Sequence, residues 1–154
     1  RAGGSNAVIA EKLRGQIATS SAKVAYEMFK DIFGDERFRR LKDHGGEVQR
    51  LLWASTSTKN PEYSDVKYVE ALIGPQTVNT VPMSTLEAYR DHGDPLPRLE
   101  EGVQQAREYL DLLPTLDIDI DEVTDQLVDE GIEKFNQPYD ELMEVLQEAV
   151  ADSG

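Results

Sequence analysis

The stretch that decides the fold is Val48-Gln49-Arg50-Leu51-Leu52-Trp53-Ala54, followed at once by Ser55-Thr56-Ser57-Thr58-Lys59-Asn60-Pro61. The first part reads as a strand over Val48 to Ala54. Its continuous apolar run, Leu51-Leu52-Trp53, suits a strand covered on both faces, as in parallel sheets. The second part is a polar loop. Ser64 or Asp65 then caps a helix with Val66, Val69, Leu72 and Ile73 inward, and Gly74-Pro75 ends it. A second strand reads over Thr77 to Val81, closed by Pro82. Ser84-Thr85-Leu86-Glu87 has the form of a capping box, with Ser84 as N-cap and Glu87 at the third helical position. The helix it opens runs to about Asp91 and stops near Gly93. Residues 48–93 thus read as strand, loop, helix, strand, loop, helix. That is a βαβα unit, whose natural context is a parallel sheet.

Outward from this unit the chain is helical. Arg1 to Ser5 is small and Gly-rich and reads as a loose end. The absence of an initiator Met suggests a piece of something longer. Asn6 can cap a long helix, whose stripe is Ile17, Ser21, Val24, Ala25, Met28 and Ile32, with Gly34 as its stop. Asp35 to Lys42 reads as a short basic helix with Phe38 and Leu41 inward, and His44-Gly45-Gly46 as a loop. Beyond Asp94-Pro95-Leu96-Pro97, a stiff linker, three helices are expected: Arg98 to Leu113, Asp121 to Phe135 and Tyr139 to Val150. Pro114 and Pro138 separate them. Two strands and about six helices leave a two-stranded sheet with both edges open, which is marginal alone. The missing strands are expected from elsewhere: a larger α/β fold or a companion chain. The barrel-facing side of Leu51, Trp53 and Val78 is then expected to lie bare.

At 154 residues the chain suits one domain. No apolar run approaches the ~18 residues of a spanning helix, and no secretory signal is visible. The sequence has no Cys, which excludes disulfides, thiolate zinc sites and a cysteine nucleophile, and fits a cytoplasmic protein. The formal net charge of −14 argues against nucleic acid as a partner, and nothing points to a membrane. The charge is uneven. Residues 1–60 carry 11 basic and 7 acidic side chains, residues 61–154 only 5 basic and 23 acidic. An anionic ligand is therefore sought in the first part, and a solvated acidic surface in the second.

In parallel α/β folds ligands lie at the carboxyl ends of strands. The two such loops are Ser55 to Asn60 and Thr80 to Ser84. Hydroxyls, backbone N–H groups and the Lys59 ammonium would make a phosphate cradle. The plainer reading is a solvated loop that caps the next helix. A Schiff-base role for Lys59 would need a desolvated amine, and a polar loop does not offer one. Asp117-Ile118-Asp119-Ile120-Asp121-Glu122 resembles the start of a calcium loop but lacks Gly at the sixth position and Glu at the twelfth, where Glu122 and Val128 stand. Its acidic residues suit a helix N-terminus instead. His44 and His92 have no second ligand at metal spacing, so no metal site is expected.

The segment Gln49-Arg50-Leu51-Leu52-Trp53-Ala54-Ser55-Thr56-Ser57-Thr58-Lys59-Asn60-Pro61-Glu62-Tyr63-Ser64-Asp65 resembles bacterial transaldolases of the long subgroup. So does Tyr68-Val69-Glu70-Ala71-Leu72-Ile73-Gly74-Pro75 followed by Thr77-Val78-Asn79-Thr80-Val81-Pro82. Weaker similarity reaches back to Ala22-Lys23-Val24-Ala25-Tyr26 and forward to Asp129-Glu130-Gly131-Ile132-Glu133-Lys134-Phe135.

This resemblance implies the C-terminal part of a (β/α)8 TIM barrel, with Val48 to Ala54 as strand seven and Thr77 to Val81 as strand eight. Residues 1–47 would be the helical segment before strand seven, 48–93 the βαβα unit, and 94–154 the C-terminal helices, all within one barrel domain. The implied reaction moves a dihydroxyacetone unit from sedoheptulose 7-phosphate to glyceraldehyde 3-phosphate through a lysine Schiff base, without cofactor. The family's catalytic lysine, Asp and Glu lie in earlier strands, so no catalytic residue is expected here. Ser55 matches the family's phosphate-binding serine. Lys59 falls near its phosphate-binding arginine, with a gap between the two. Sugar phosphates and the missing barrel segment, or a companion chain, are the expected partners. The competing expectation is a non-catalytic acidic helical interaction module derived from such a barrel, and a third is one part of a fused enzyme with a second activity.

Overall fold

A computed structural model describes residues 4–151. The loose end read at Arg1 to Ser5 lies outside the described residues as far as residue 3, and Ser5 already begins a helix. The elements are α1 (Ser5–Leu13), α2 (Ile17–Gly34), α3 (Glu36–Lys42), β1 (Leu51–Trp53), α4 (Lys67–Ala71), β2 (Thr77–Asn79), α5 (Met83–His92), α6 (Val103–Asp111), a 3-10 turn (Leu113–Leu116) and α7 (Ile120–Ala151). They divide into two compact units, Arg1–Leu112 and Leu113–Gly154.

In the first unit β1 and β2 pair in parallel, Leu51 beside Thr77, Leu52 beside Val78 and Trp53 beside Asn79. The αβ alternation between residues 48 and 93 therefore forms as read, with shorter strands. The core is Tyr26, Phe29, Leu72 and Leu99, with Ala22, Phe33, Val48, Leu51 and Trp53 packed against it. Strand side chains alternate between faces. Leu51 and Trp53 thus turn toward the helices, while Leu52, 54% exposed, turns away beside Val78. This corrects two expectations. The apolar run is covered on one face only among the described residues, and the bare face carries Leu52, not Leu51 and Trp53.

The long helix expected from Asn6 is two helices. Gly15 breaks it with φ +68, a conformation glycine adopts without steric cost. A Cβ there would stand 2.7 Å from Tyr63 Oη and Lys67 Nζ, the movable ends of two long side chains, so it is the left-handed φ that calls for glycine. The face α2 buries is Ala22, Tyr26, Phe29 and Phe33. The expected stripe is rotated off it: Ser21, Met28 and Ile32 are exposed. Phe33 meets the Phe38 ring of α3 edge-on at 4.7 Å, whereas Leu41, expected inward, is exposed.

Leu99 is fully buried, and a Cβ on Gly74 would lie 2.6 Å from its Cδ2. The backbone N–H groups of Arg98 and Leu99 both donate to Ile73 O. That anchorage holds residues 98–101 in turns, so α6 starts only after Gly102, with φ +64, and not at Arg98. The capping box does not form either. Pro82 is the N-cap of α5 and its carbonyl accepts from Leu86 N, which places Ser84 inside the first turn.

In the second unit the two helices expected around Pro138 are one, α7, with Pro138 inside it. A proline removes one N–H donor from a helix, and here the turns on both sides remain helical. Asp119 begins it: its carboxylate accepts from Asp121 N at 2.9 Å and from Glu122 N at 3.4 Å. The acidic run thus serves the helix start, as its plainer reading had it. Apolar side chains of α7 from Leu127 to Val150 lie exposed. No helix among the described residues is long and apolar enough to cross a membrane.

Candidate anion site at the carboxyl ends of the strands

The chain leaves β1 at Trp53 and turns sharply. Ser55 has φ +56, in the left-handed region that a side chain bearing a Cβ seldom occupies. The next residue, Thr56, is buried, and its hydroxyl donates to Asn79 Oδ1 at 2.8 Å. Across the sheet, Thr80 N donates to Trp53 O at 2.9 Å, continuing the ladder past the last strand residues. Each of the two loops singled out from sequence, after β1 and after β2, is therefore fastened to the end of the other strand.

Their meeting forms a concavity of about 320 Å³ lined by Ser55, Ser57, Lys59, Thr80, Val81 and Pro82. A larger one, about 560 Å³, lies alongside, between the loop, the first turns of α2 and α4; Thr19, Trp53, Tyr68 and Leu72 are on its wall. Ser55 and Lys59 line both. Hydroxyls from both loops and the Lys59 ammonium are thus gathered on one surface. Lys59 is exposed, and no described residue is hydrogen-bonded or ion-paired to it. A solvated amine of this kind is a point charge suited to an anion. The indole N–H of Trp53 and the hydroxyl of Thr58 are buried without a partner among the described residues.

Two site-building residues, Thr56 and Asn79, are not singled out by the sequence. Thr56 looked like one hydroxyl among several. Asn79 stood inside a strand. Their bond joins residues far apart in the chain and exists only because the parallel register sets Asn79 beside Trp53.

The histidines lie elsewhere. His44 Nδ1 is 2.8 Å from Arg40 O. His92, the last residue of α5, has Nε2 2.8 Å from Asp65 Oδ1 and Nδ1 3.2 Å from Asp91 Oδ2. Donating to the Asp65 carboxylate, and then to that of Asp91, raises the His92 pKa, and His92 in turn holds Asp65 below the usual carboxylate range. This cluster ties α5 to the start of α4.

The sequence pattern that defines the transaldolase/fructose-6-phosphate aldolase family matches residues 2–146. A transaldolase of Trichodesmium erythraeum is 46% identical over 142 residues, which is 91% of this chain and 37% of that protein. Transaldolase 2 of Nostoc punctiforme is 47% identical over 140 residues, 90% of this chain and 37% of the relative. A transaldolase of Mycolicibacterium smegmatis is 45% identical over 136 residues, 88% of this chain and 37% of the relative. The chain thus spans little more than a third of the length of these relatives.

Proposed function

Because the chain belongs to the transaldolase/fructose-6-phosphate aldolase family, we propose that it supplies the phosphate-binding end of a transaldolase barrel. In this reading β1 and β2 are strands seven and eight, and the rest of the barrel comes from polypeptide beyond these residues. The complete enzyme moves a dihydroxyacetone unit from sedoheptulose 7-phosphate to glyceraldehyde 3-phosphate in the cytoplasm. A lysine of an earlier strand forms the Schiff base, and no cofactor is needed, since the imine itself serves as electron sink.

The observation that carries the reading is the convergence of Ser55, Lys59 and the loop after β2 at the carboxyl ends of two parallel strands. Loops after the last two strands of such barrels commonly hold phosphate. Phosphate oxygens would accept from the Ser55 hydroxyl and the Lys59 ammonium. Held there, the phosphate anchors the sugar in the site, and because the group is remote from the reacting bond its binding energy is common to ground and transition states and lowers KM.

The bare surfaces support an incomplete barrel. Leu52 faces away from the helices. Beside the open edge of β1 runs an apolar groove of about 450 Å³, lined by Met28, Ile32, Phe33, Leu51 and Leu52. A neighbouring strand and its helix would cover both.

Borohydride trapping tests the proposal. With fructose 6-phosphate, the complete enzyme should gain a stable adduct on a lysine outside these 154 residues, and the chain alone should stay unmodified and inactive. An adduct on Lys59, or on any other lysine of this chain, would overturn it.

A further inference from the structure

The loop that carries Ser55 is pinned on both sides of that residue. Before it, Trp53 O accepts from Thr80 N at 2.9 Å. After it, the buried Thr56 hydroxyl donates to Asn79 Oδ1 at 2.8 Å. Both pins reach neighbouring residues, Asn79 and Thr80, at the end of β2. Only Ala54 and Ser55 lie between them, and Ser55 takes the left-handed φ of +56. A serine holds such a backbone only where its surroundings over-determine it. An extended Ser55 would send the chain onward along the β1 direction and draw Thr56 away from Asn79.

We infer that Thr56 and Asn79 form a positioning pair, whose hydrogen bond holds Ser55 in its left-handed turn and so keeps it on the wall it shares with Lys59 and the β2 loop. The inference rests on the reading of Ser55 as a phosphate contact. Thr56 borders the larger concavity as well, and the role inferred for the pair is positioning, not substrate contact. The pair acts through the conformation of Ser55, and its loss shows in substrate binding before it shows in chemistry.

The experiment uses the complete enzyme and reads kcat, KM for fructose 6-phosphate and the inhibition constant of inorganic phosphate. Thr56→Val keeps the shape and removes the hydroxyl. It should raise KM and the phosphate inhibition constant together, roughly 3- to 10-fold for one neutral hydrogen bond, with kcat little changed. Thr56→Ser retains the hydroxyl and should restore both constants. Asn79→Ala removes the acceptor from the less buried side, and reads the same contact should Thr56→Val fail to fold. The double variant should be no worse than the poorer single one, as expected of two partners in one bond. Ser55→Ala and Lys59→Ala serve as the reference. If these two raise both constants and Thr56→Val and Asn79→Ala do not, or if Thr56→Ser is as impaired as Thr56→Val, the positioning pair is refuted and the phosphate site stands. If Ser55→Ala and Lys59→Ala leave both constants unchanged, the phosphate site itself fails, and the pair with it.

Discussion

Leu52 and Val78 stand side by side in the parallel register, on the face of the sheet turned away from Tyr26 and Phe29. Leu99, by contrast, is wholly enclosed. Truncation should read this difference. Leu99→Ala should cost the chain about 2–5 kcal/mol of unfolding free energy in urea, and Leu52→Ala under about 1 kcal/mol, since little area is removed from cover. In the complete enzyme Leu52→Ala should cost several-fold more, because the barrel interior then covers it. Equal costs in the two contexts would argue against a missing wall at this face.

Gly74 offers a second stability test. Its missing side chain is what lets Leu99 close over the end of α4, and an added Cβ would overlap Leu99 Cδ2 and Cβ at 2.6 and 2.7 Å. Gly74→Ala should therefore destabilise the fold by about 1–3 kcal/mol, the usual cost of overpacking. A thermal midpoint equal to or above that of the unaltered chain would show that Leu99 has room to withdraw.

The Asp65–His92 pair predicts a pH signature. His92 is raised, so its contribution is complete below the unfolded imidazole value of about 6.5 and is lost as pH rises through the higher folded value. Asp65 is lowered, so its contribution is present above the unfolded carboxylate value of about 3.9 and is lost as pH falls through the lower folded value. The pair is therefore whole between those limits, near pH 5. In an NMR titration Asp65→Asn should lower the His92 midpoint, and Asp91→Asn should lower it less. The stability gap between the chain and Asp65→Asn should be widest near pH 5 and close as pH rises through the raised His92 value. A His92 midpoint unmoved by Asp65→Asn would refute the contact.

Much of this architecture is written locally. An apolar run that stops abruptly at Ser55 marks both a strand and the loop at its carboxyl end, and Thr77 to Pro82 repeats the pattern. The loops that build the site could thus be named from sequence. What could not be read depends on partners distant in the chain. Helix α2 carries apolar residues on two faces, Phe29 with Phe33 and Met28 with Ile32, and no periodicity says which meets the core. The start of α5 differs from the motif because Pro82, with φ −62, takes the N-cap place two residues ahead of Ser84. Pro138 looked like a break, yet one lost donor did not end a helix with turns on either side. The Thr56–Asn79 bond needs the sheet register before it can exist at all.

The central claim is that Lys59 and Ser55 hold substrate phosphate, and steady-state kinetics of Lys59→Ala in the complete enzyme test it most directly. A charge-assisted hydrogen bond contributes about 1.5–3 kcal/mol, so KM for fructose 6-phosphate should rise roughly 10- to 200-fold. At saturating substrate, kcat and borohydride trapping on the enzyme's own lysine should persist, because the contact is equal in ground and transition states. Ser55→Ala should act in the same direction and less strongly. A KM for fructose 6-phosphate unchanged by Lys59→Ala would contradict the account and return the loop after β1 to a solvated connection between a strand and a helix.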